Sequence, residues 1–397
     1  MAAWATRRGP GRAKGKSLPF WAQLPSRFWF AVFLTASLGK TYLWALVVLG
    51  GVPLLGWIVG PESGNDGDYY HAYAQGRVGY ATSLWPVLLR GLYEAGMYSR
   101  QGVAFLNMLL GVWLVPIAAA YVAVGGFKVR GAGHRLFWFS AAVVALYPAP
   151  FWFTLDIYRD VFMLSIFLIG VYVARRYFSK ATLARVGYAA LFAVLVGVLF
   201  HLRGYLGFSL GLGFLLAHLF SRFRLRWEAI FAGLVLYGMA LYVAHTVGLL
   251  APVAQYRGEE GFAGGGSSFG LGFQGRSGMD FLRVFGLSFV YQVLGLYLNS
   301  FKAFLLFLAE SLPFLYFAAG VWGARLRLDF FSKFLLLFAL AYTTVFVLGN
   351  DNLGTAMRLR IFVYLAVFMV WARAQAQRSA VGWASFPSTT GREALGT

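Results

Sequence analysis

Long apolar runs broken by short polar stretches fill most of the chain. Neither the two-residue alternation of a half-buried strand nor the single stripe of a surface helix describes them. A bilayer core about 30 Å thick asks for roughly 20 apolar residues per helix. On that measure the pattern predicts spans over 41–59, 102–124, 136–153, 161–174, 186–201, 205–220, 228–249, 301–323, 330–348 and 361–374. The expected fold class is all-α: a polytopic transmembrane helical bundle of about ten spans. An eleventh stays open, because 284–298 is apolar but parity leaves it no partner; a re-entrant or surface-lying helix is the other reading. Residues 20–38, aromatic and leucine-rich between Arg27 and Lys40, read as an interfacial helix. The domain division that follows is 1–40 (basic tail and interfacial helix), 41–375 (transmembrane domain) and 376–397 (a second tail).

Composition agrees with that pattern. Hydrophobic residues make up 60 % of the 397 and charged residues 12 %, against roughly 25 % charged in an average soluble domain. The formal charge of +20 would suit a nucleic-acid binder. However, the cations sit in short clusters between apolar runs, with no basic domain and no nucleic-acid motif, so no nucleic-acid partner is expected. The clusters fall on alternate connections: Lys128, Arg130 and Arg135; Arg175, Arg176 and Lys180; Arg222, Arg224 and Arg226; Arg325 and Arg327; then Arg373 and Arg378. Together with the N-terminal Arg7, Arg8, Arg12, Lys14 and Lys16, they place both termini on the cytoplasmic side of a bacterial inner membrane under the positive-inside rule. The apolar stretch after that tail reads as an anchor rather than a removed signal peptide. The absence of cysteine excludes disulfides, thiol catalysis and thiolate metal sites.

The acids mark the other side. Glu62, Asp66, Asp68, Glu94, Asp156, Asp160, Glu259, Glu260, Asp280 and Asp351 fall in predicted outer connections or at outer helix ends, and Glu310 falls within a span. Only Glu228, Asp329 and Glu393 fall on the inner side. Ionisable groups near membrane depth are costly and usually face a partner or a cavity. Gly64 and Gly67 permit a tight turn that presents Asp66 and Asp68, with a helix beginning over 69–74. Either aspartate can cap that helix, act as a general base, or join the other in holding a divalent cation, Mg²⁺ or Mn²⁺. The short 154–160 connection brings Asp156, Arg159 and Asp160 to the outer mouth, where Arg159 with either acid can form a structural ion pair. His201-Leu-Arg203-Gly204 and Asn350 to Arg360 add Arg203, Arg358 and Arg360. Outer arginines at span ends either snorkel to headgroups or hold an anion, and the guanidinium fork suits phosphate. The glycine-rich connection 251–283 has no phosphate-loop or dinucleotide pattern and reads as a mobile flap or a disordered loop. The five histidines show no metal-ligand spacing, and no Walker or nucleophile-elbow motif appears.

In order, these pieces resemble the GT-C class of membrane glycosyltransferases and the related bacterial polysaccharide (O-antigen-like) polymerases. The resemblance rests on Asp66 to Ala74 in the first outer loop with Trp85-Pro86 behind it, and on Leu146-Tyr147-Pro148. It continues through Tyr158-Arg159-Asp160 and closes with Gly354-Thr355-Ala356 leading to Arg358 and Arg360. It covers most of the chain in organisation, through short motifs, and leaves open which of Asp66 and Asp68 is the first-loop carboxylate. It implies polyprenyl-(pyro)phosphate-linked saccharide substrates at the outer leaflet, in polysaccharide assembly or polymerisation. Asp66 or Asp68 would then be the base, with Asp160 a further candidate. Arg203, Arg358 and Arg360 would hold the phosphate, supported by Arg159. The competing class is a transporter or flippase for an anionic or lipid-linked substrate, which should show internal repeats with broken helices. A purely structural scaffold is a third.

Overall fold

A computed structural model describes residues 20–51, 65–125, 131–179, 182–220, 226–253, 255, 268–273 and 275–384. The basic tail from Arg7 to Lys16, Glu62, Lys128, Arg130, Lys180, Arg222, Arg224, Glu259, Glu260, residues 264–267 and Glu393 lie outside them. The described residues are helical with no strand, apart from one isolated bridge between Ser268 and Asn352. In chain order the helices are α1 (Ser26–Leu49), α2 (Asn65–Ala74), α3 (Leu84–Glu94), α4 (Arg100–Val124), α5 (Ala132–Leu146), α6 (Asp160–Ser179) and α7 (Thr182–Leu202). There follow α8 (Gly204–Leu219), α9 (Trp227–Thr246), α10 (Gly278–Gln292), α11 (Phe301–Arg327), α12 (Phe330–Gly349) and α13 (Leu353–Ala384). Eight are long and apolar enough to cross a membrane (α1, α4, α6, α7, α9, α11, α12 and α13), and α5 and α8 are shorter apolar helices. The chain is therefore an all-α, multi-pass membrane protein.

Each predicted span overlaps one of these helices, and two boundaries move for identifiable reasons. Residues 26–49 form a single helix, not an interfacial piece followed by a span from 41. Lys40 does not interrupt it, because its ammonium turns inward, donates to the Tyr147 carbonyl (2.8 Å) and sits 5.6 Å from the Phe151 ring centre. The outer part of that predicted span, 52–59, lies outside the described residues. The predicted 136–153 span ends at Leu146. Pro148 bars the helical conformation from the residue before it, and Tyr147 is extended (φ −61°, ψ 121°).

The bundle has an acidic and a basic end. α6 runs from Asp160 to Arg175 and Arg176, and α13 runs from Arg358 to Arg373, which pairs with Asp329 at 2.9 Å. Segment 284–298 lies in and beyond α10, and both ends of that helix sit at the acidic end. His245, at the end of α9, bonds the Arg276 carbonyl (3.0 Å), while Gln292 donates to the Asn350 carbonyl (2.8 Å). At 15 residues α10 is also shorter than a full crossing requires.

The organising helix is α13. Residues 359–372 are buried around the whole circumference, packed by α4, α5, α11 and α12. A helix apolar on all sides belongs at such a centre. α9 is the opposite case, with Leu241 its one buried residue. Without a hydrophobic drive between helices in lipid, close approach matters. Gly213 of α8 lies against the Phe338 backbone of α12, where a Cβ would come within 2.7 Å.

Candidate functional site

Three helix ends and one irregular segment build the acidic end of the bundle. In the non-helical segment 153–159 the Arg159 carbonyl accepts from the Met163 N–H of α6 (2.9 Å), and side chains from three other helices satisfy four of the remaining carbonyls. Trp44 of α1 donates to the Thr154 carbonyl (2.8 Å) and Trp85 of α3 to that of Ile157 (2.8 Å). Asn107, fully buried in α4, donates to both Asp156 (3.2 Å) and Tyr158 (2.9 Å). Unmet backbone groups are expensive at this depth. The strapping therefore fixes where Asp156, Tyr158, Arg159 and Asp160 point.

Arg358 is the hub. Its Nη1 donates to Asp66 Oδ2 at 2.6 Å, Nη2 to Asp160 Oδ2 at 2.7 Å, and Nε to Asp160 Oδ1 at 3.4 Å. The guanidinium lies 5.4 Å from the Phe153 ring centre and 5.6 Å from that of Tyr158, a cation–π box. Arg203 reaches Asp160 Oδ1 from the α7–α8 turn at 3.6 Å and lies 5.5 Å from the Tyr205 ring. Arg159 turns alongside and donates to the Leu202 carbonyl (3.1 Å).

Asp160, Arg159, Arg203, Arg358 and Asp66 therefore converge, but the three acid candidates are not equivalent. The Asp160 side chain is 3 % exposed and held by two guanidiniums, whereas that of Asp66 is 44 % exposed and held by one. Asp160 is enclosed by cations, and Asp66 stays open to the surface. Two carboxylates against three guanidiniums leave one surplus positive charge. Arg203 Nη1 and Arg159 Nε are buried without an acceptor of ordinary hydrogen-bond geometry, although Arg203 faces Asp160 at 3.6 Å and lies beside the Tyr342 hydroxyl. Buried donors without acceptors are rare and call for a partner. Tyr70, one turn beyond Asp66, faces the same charges, and burial pushes its phenol up to about 12, so it stays a neutral donor. Burial does the same to Tyr158, also to about 12.

Two expectations need correction. Asp66 and Asp68 do not form a cation site. The helix begins at Asn65, before both of them, and residues two apart on a helix face different ways. Asp68, with its side chain 68 % exposed, instead pairs with Arg100 (2.8 Å), which also forks onto Asp156 at 2.9 and 2.6 Å. Among the described residues no group of three His, Cys, Asp or Glu side chains gathers around a metal position. Nor does Arg360 join the cluster. Two residues past Arg358 it points roughly 200° around the helix, and it pairs with Glu310 (2.6 Å) inside the bundle.

Arg100 was not among the candidates, although it opens a span at the acidic end, the same signal that marked Arg203. Asn107 carried a fainter mark, a lone amide in an apolar run. Gly67 is needed because a Cβ there would overlap the Asp156 carboxylate. Beside Asp68, His71 bonds the Tyr98 hydroxyl (2.8 Å), and burial together with Arg100 lowers its imidazole pKa. Close by, a cavity of about 410 Å³ lies between Thr82–Leu84 and Phe200–His201, its rim two residues from Arg203. No protein-family model, no curated protein and no solved structure matches this chain.

Proposed function

We propose that the chain is an integral membrane glycosyltransferase. It transfers saccharide from a polyprenyl-(pyro)phosphate carrier to an acceptor hydroxyl at the outer face of a bacterial inner membrane, in assembly or polymerisation of a surface polysaccharide. The basic end, with both termini, faces the cytoplasm, in keeping with the positive-inside rule. The observation that carries the reading is the pairing of a half-exposed carboxylate, Asp66, with a buried cluster one positive charge in surplus and two guanidinium donors short of acceptors.

In this reading Asp66 takes the proton from the acceptor hydroxyl as its oxygen bonds the anomeric carbon. The carbon–oxygen bond to phosphate breaks, and the electron pair leaves with the phosphate. Arg203 and Arg159 receive that growing charge, with Arg358 linking base and anion site. Asp160 keeps the guanidiniums in place.

The test uses purified protein in detergent with lipid-linked saccharides from its own host, and mass spectrometry of the products. Longer lipid-linked glycans or released polyprenyl (pyro)phosphate, lost in Asp66→Asn and Arg203→Ala, support the enzyme. An unchanged lipid pool from folded protein with those lipids present replaces it with a transporter, which has no work to do without compartments.

A further inference from the structure

On the other side of α13 from Arg358 lies a second polar cluster that the proposed chemistry does not use. A π-helical turn, Phe307–Ser311, interrupts α11 and rotates Glu310 and Ser311 inward. Such turns inside α-helices often mark functional sites. Glu310 and Arg360 have side chains 0 % and 1 % exposed, and Glu310 Oε2 accepts from both Nη2 (2.6 Å) and Nε (3.2 Å) of Arg360. Ser311 bonds the Tyr364 hydroxyl (3.0 Å), which donates to the Val293 carbonyl (2.6 Å). Two atoms stand apart from this network: Glu310 Oε1 and the Tyr147 hydroxyl make no hydrogen bond of ordinary geometry, although the Ala149 backbone N–H lies close to the carboxylate and the Arg360 guanidinium close to the phenol.

Glu310 and Tyr147 both line the same cavity of about 220 Å³, between the end of α5 and the middle stretches of α11 and α13. Apart from Tyr364, whose hydroxyl is taken up by Ser311 and the Val293 carbonyl, the rest of its wall is apolar and includes Pro313, Phe317 and Phe368. Leu146 on its rim and Leu308 and Leu312 beside it are exposed, on helices apolar enough to face hydrocarbon. Glu310 lies nine residues into α11, about 14 Å along the axis from Phe301 at 1.5 Å per residue. This is a slot opening sideways into the membrane, with one acceptor and one phenol at its base.

We propose that this slot binds the hydroxyl end of a lipid alcohol. The alcohol O–H donates to Glu310 Oε1, its oxygen accepts from the Tyr147 hydroxyl, and its chain runs along Pro313, Phe317 and Phe368. The depth selects against charged headgroups, which lose their hydration there. A phosphate or carboxylate would also meet the Glu310 oxygen, while the two cations nearby are already engaged, Arg360 by Glu310 and Lys40 by the Tyr147 carbonyl. A neutral hydroxyl supplies one donor and one acceptor, which is what Glu310 Oε1 and the Tyr147 hydroxyl require.

The experiment measures binding of tritiated oleyl alcohol to the full chain in detergent micelles, with oleic acid and oleyl phosphate as competitors that share the chain. Saturable binding near one per protein is expected, with the charged competitors at least about tenfold weaker. Tyr147→Phe removes one hydrogen bond and keeps the ring, so affinity should fall about fivefold with the melting temperature unchanged. Ala309→Trp fills the slot from its exposed rim and should abolish binding. Unsaturable uptake, equal competition by all three headgroups, or binding indifferent to both substitutions overturns the proposal.

Discussion

At the residue scale, the acidic end turns on how one guanidinium divides itself between two carboxylates. Arg358 holds Asp66 at the surface and Asp160 in the interior, so neutralising either acid should have a different result. Asp160→Asn leaves Arg203 and Arg358 facing a neutral amide in a buried site. Removing one member of a buried pair costs about 3–5 kcal/mol, and the melting temperature in detergent should fall accordingly. Asp66→Asn should melt close to the parent yet form no glycan product, because what it loses is a proton acceptor rather than a structural charge. His71 supplies a pH test. Its folded pKa lies below the unfolded value of about 6.5, so the fold favours the neutral ring. That contribution is complete above pH 6.5 and is lost as pH falls through the lowered value. The parent should therefore lose thermal stability faster than His71→Gln between pH 6.5 and 5.

At the element scale, the 153–159 segment has no regular structure, yet its carbonyls are the best-anchored part of the site. The anchors come from elements far apart in sequence, Trp44, Trp85 and Asn107. Asn107→Ala removes two of these bonds without touching a charge. If the segment positions Asp160 and Arg159 for reaction, turnover should drop about 10- to 100-fold, since small misplacements of reacting groups are that costly. Unchanged turnover in a folded variant would make the strapping purely structural. Such anchors are hard to read in a sequence because an indole looks like any other apolar residue until its N–H finds a carbonyl. The break at Tyr147-Pro148 could be read from proline's local sterics alone, yet the apolar run to 153 hid it inside a predicted span. The inward turn of Lys40 was not legible, since it depends on a carbonyl 107 residues away.

At the scale of the whole molecule, the helical bundle and the segregation of acids from most basic clusters were legible in the apolar runs and the charges between them. Hydrocarbon thickness and charge asymmetry act on every span alike. The convergence of Asp66, Asp160, Arg203 and Arg358 was legible as a shared end of the bundle. The separation of Arg360 required a helix phase, which a run of polar residues at a span start does not disclose. Topology is directly testable, because the chain has no cysteine. Single-cysteine variants at Met279, in the first turn of α10, and Leu298, beyond its end, both exposed, should react with an impermeant maleimide from one side of a sealed vesicle. Leu326→Cys at the basic end should react only from the other. Labelling of 279 and 298 from opposite sides would make α10 a crossing and change the parity of everything before it.

The central position of α13 also has a consequence for how the protein comes to be. Each charged partner of Arg358 and Arg360 (Asp66, Asp160 and Glu310) precedes them in the chain. During synthesis those carboxyls emerge and wait, two of them on helices already committed to the membrane, until the helix carrying their countercharges arrives. Acids unpaired within a bilayer are poorly tolerated, so the interval before α13 docks is when the nascent chain most needs a chaperone. A ribosome stalled before residue 353 would release a product in which Glu310 lacks its paired guanidinium and Asp160 keeps only Arg203 of its two. Membrane proteases that survey for exposed intramembrane charge should therefore remove it quickly, and completion of the last helix would act as the protein's own checkpoint for release.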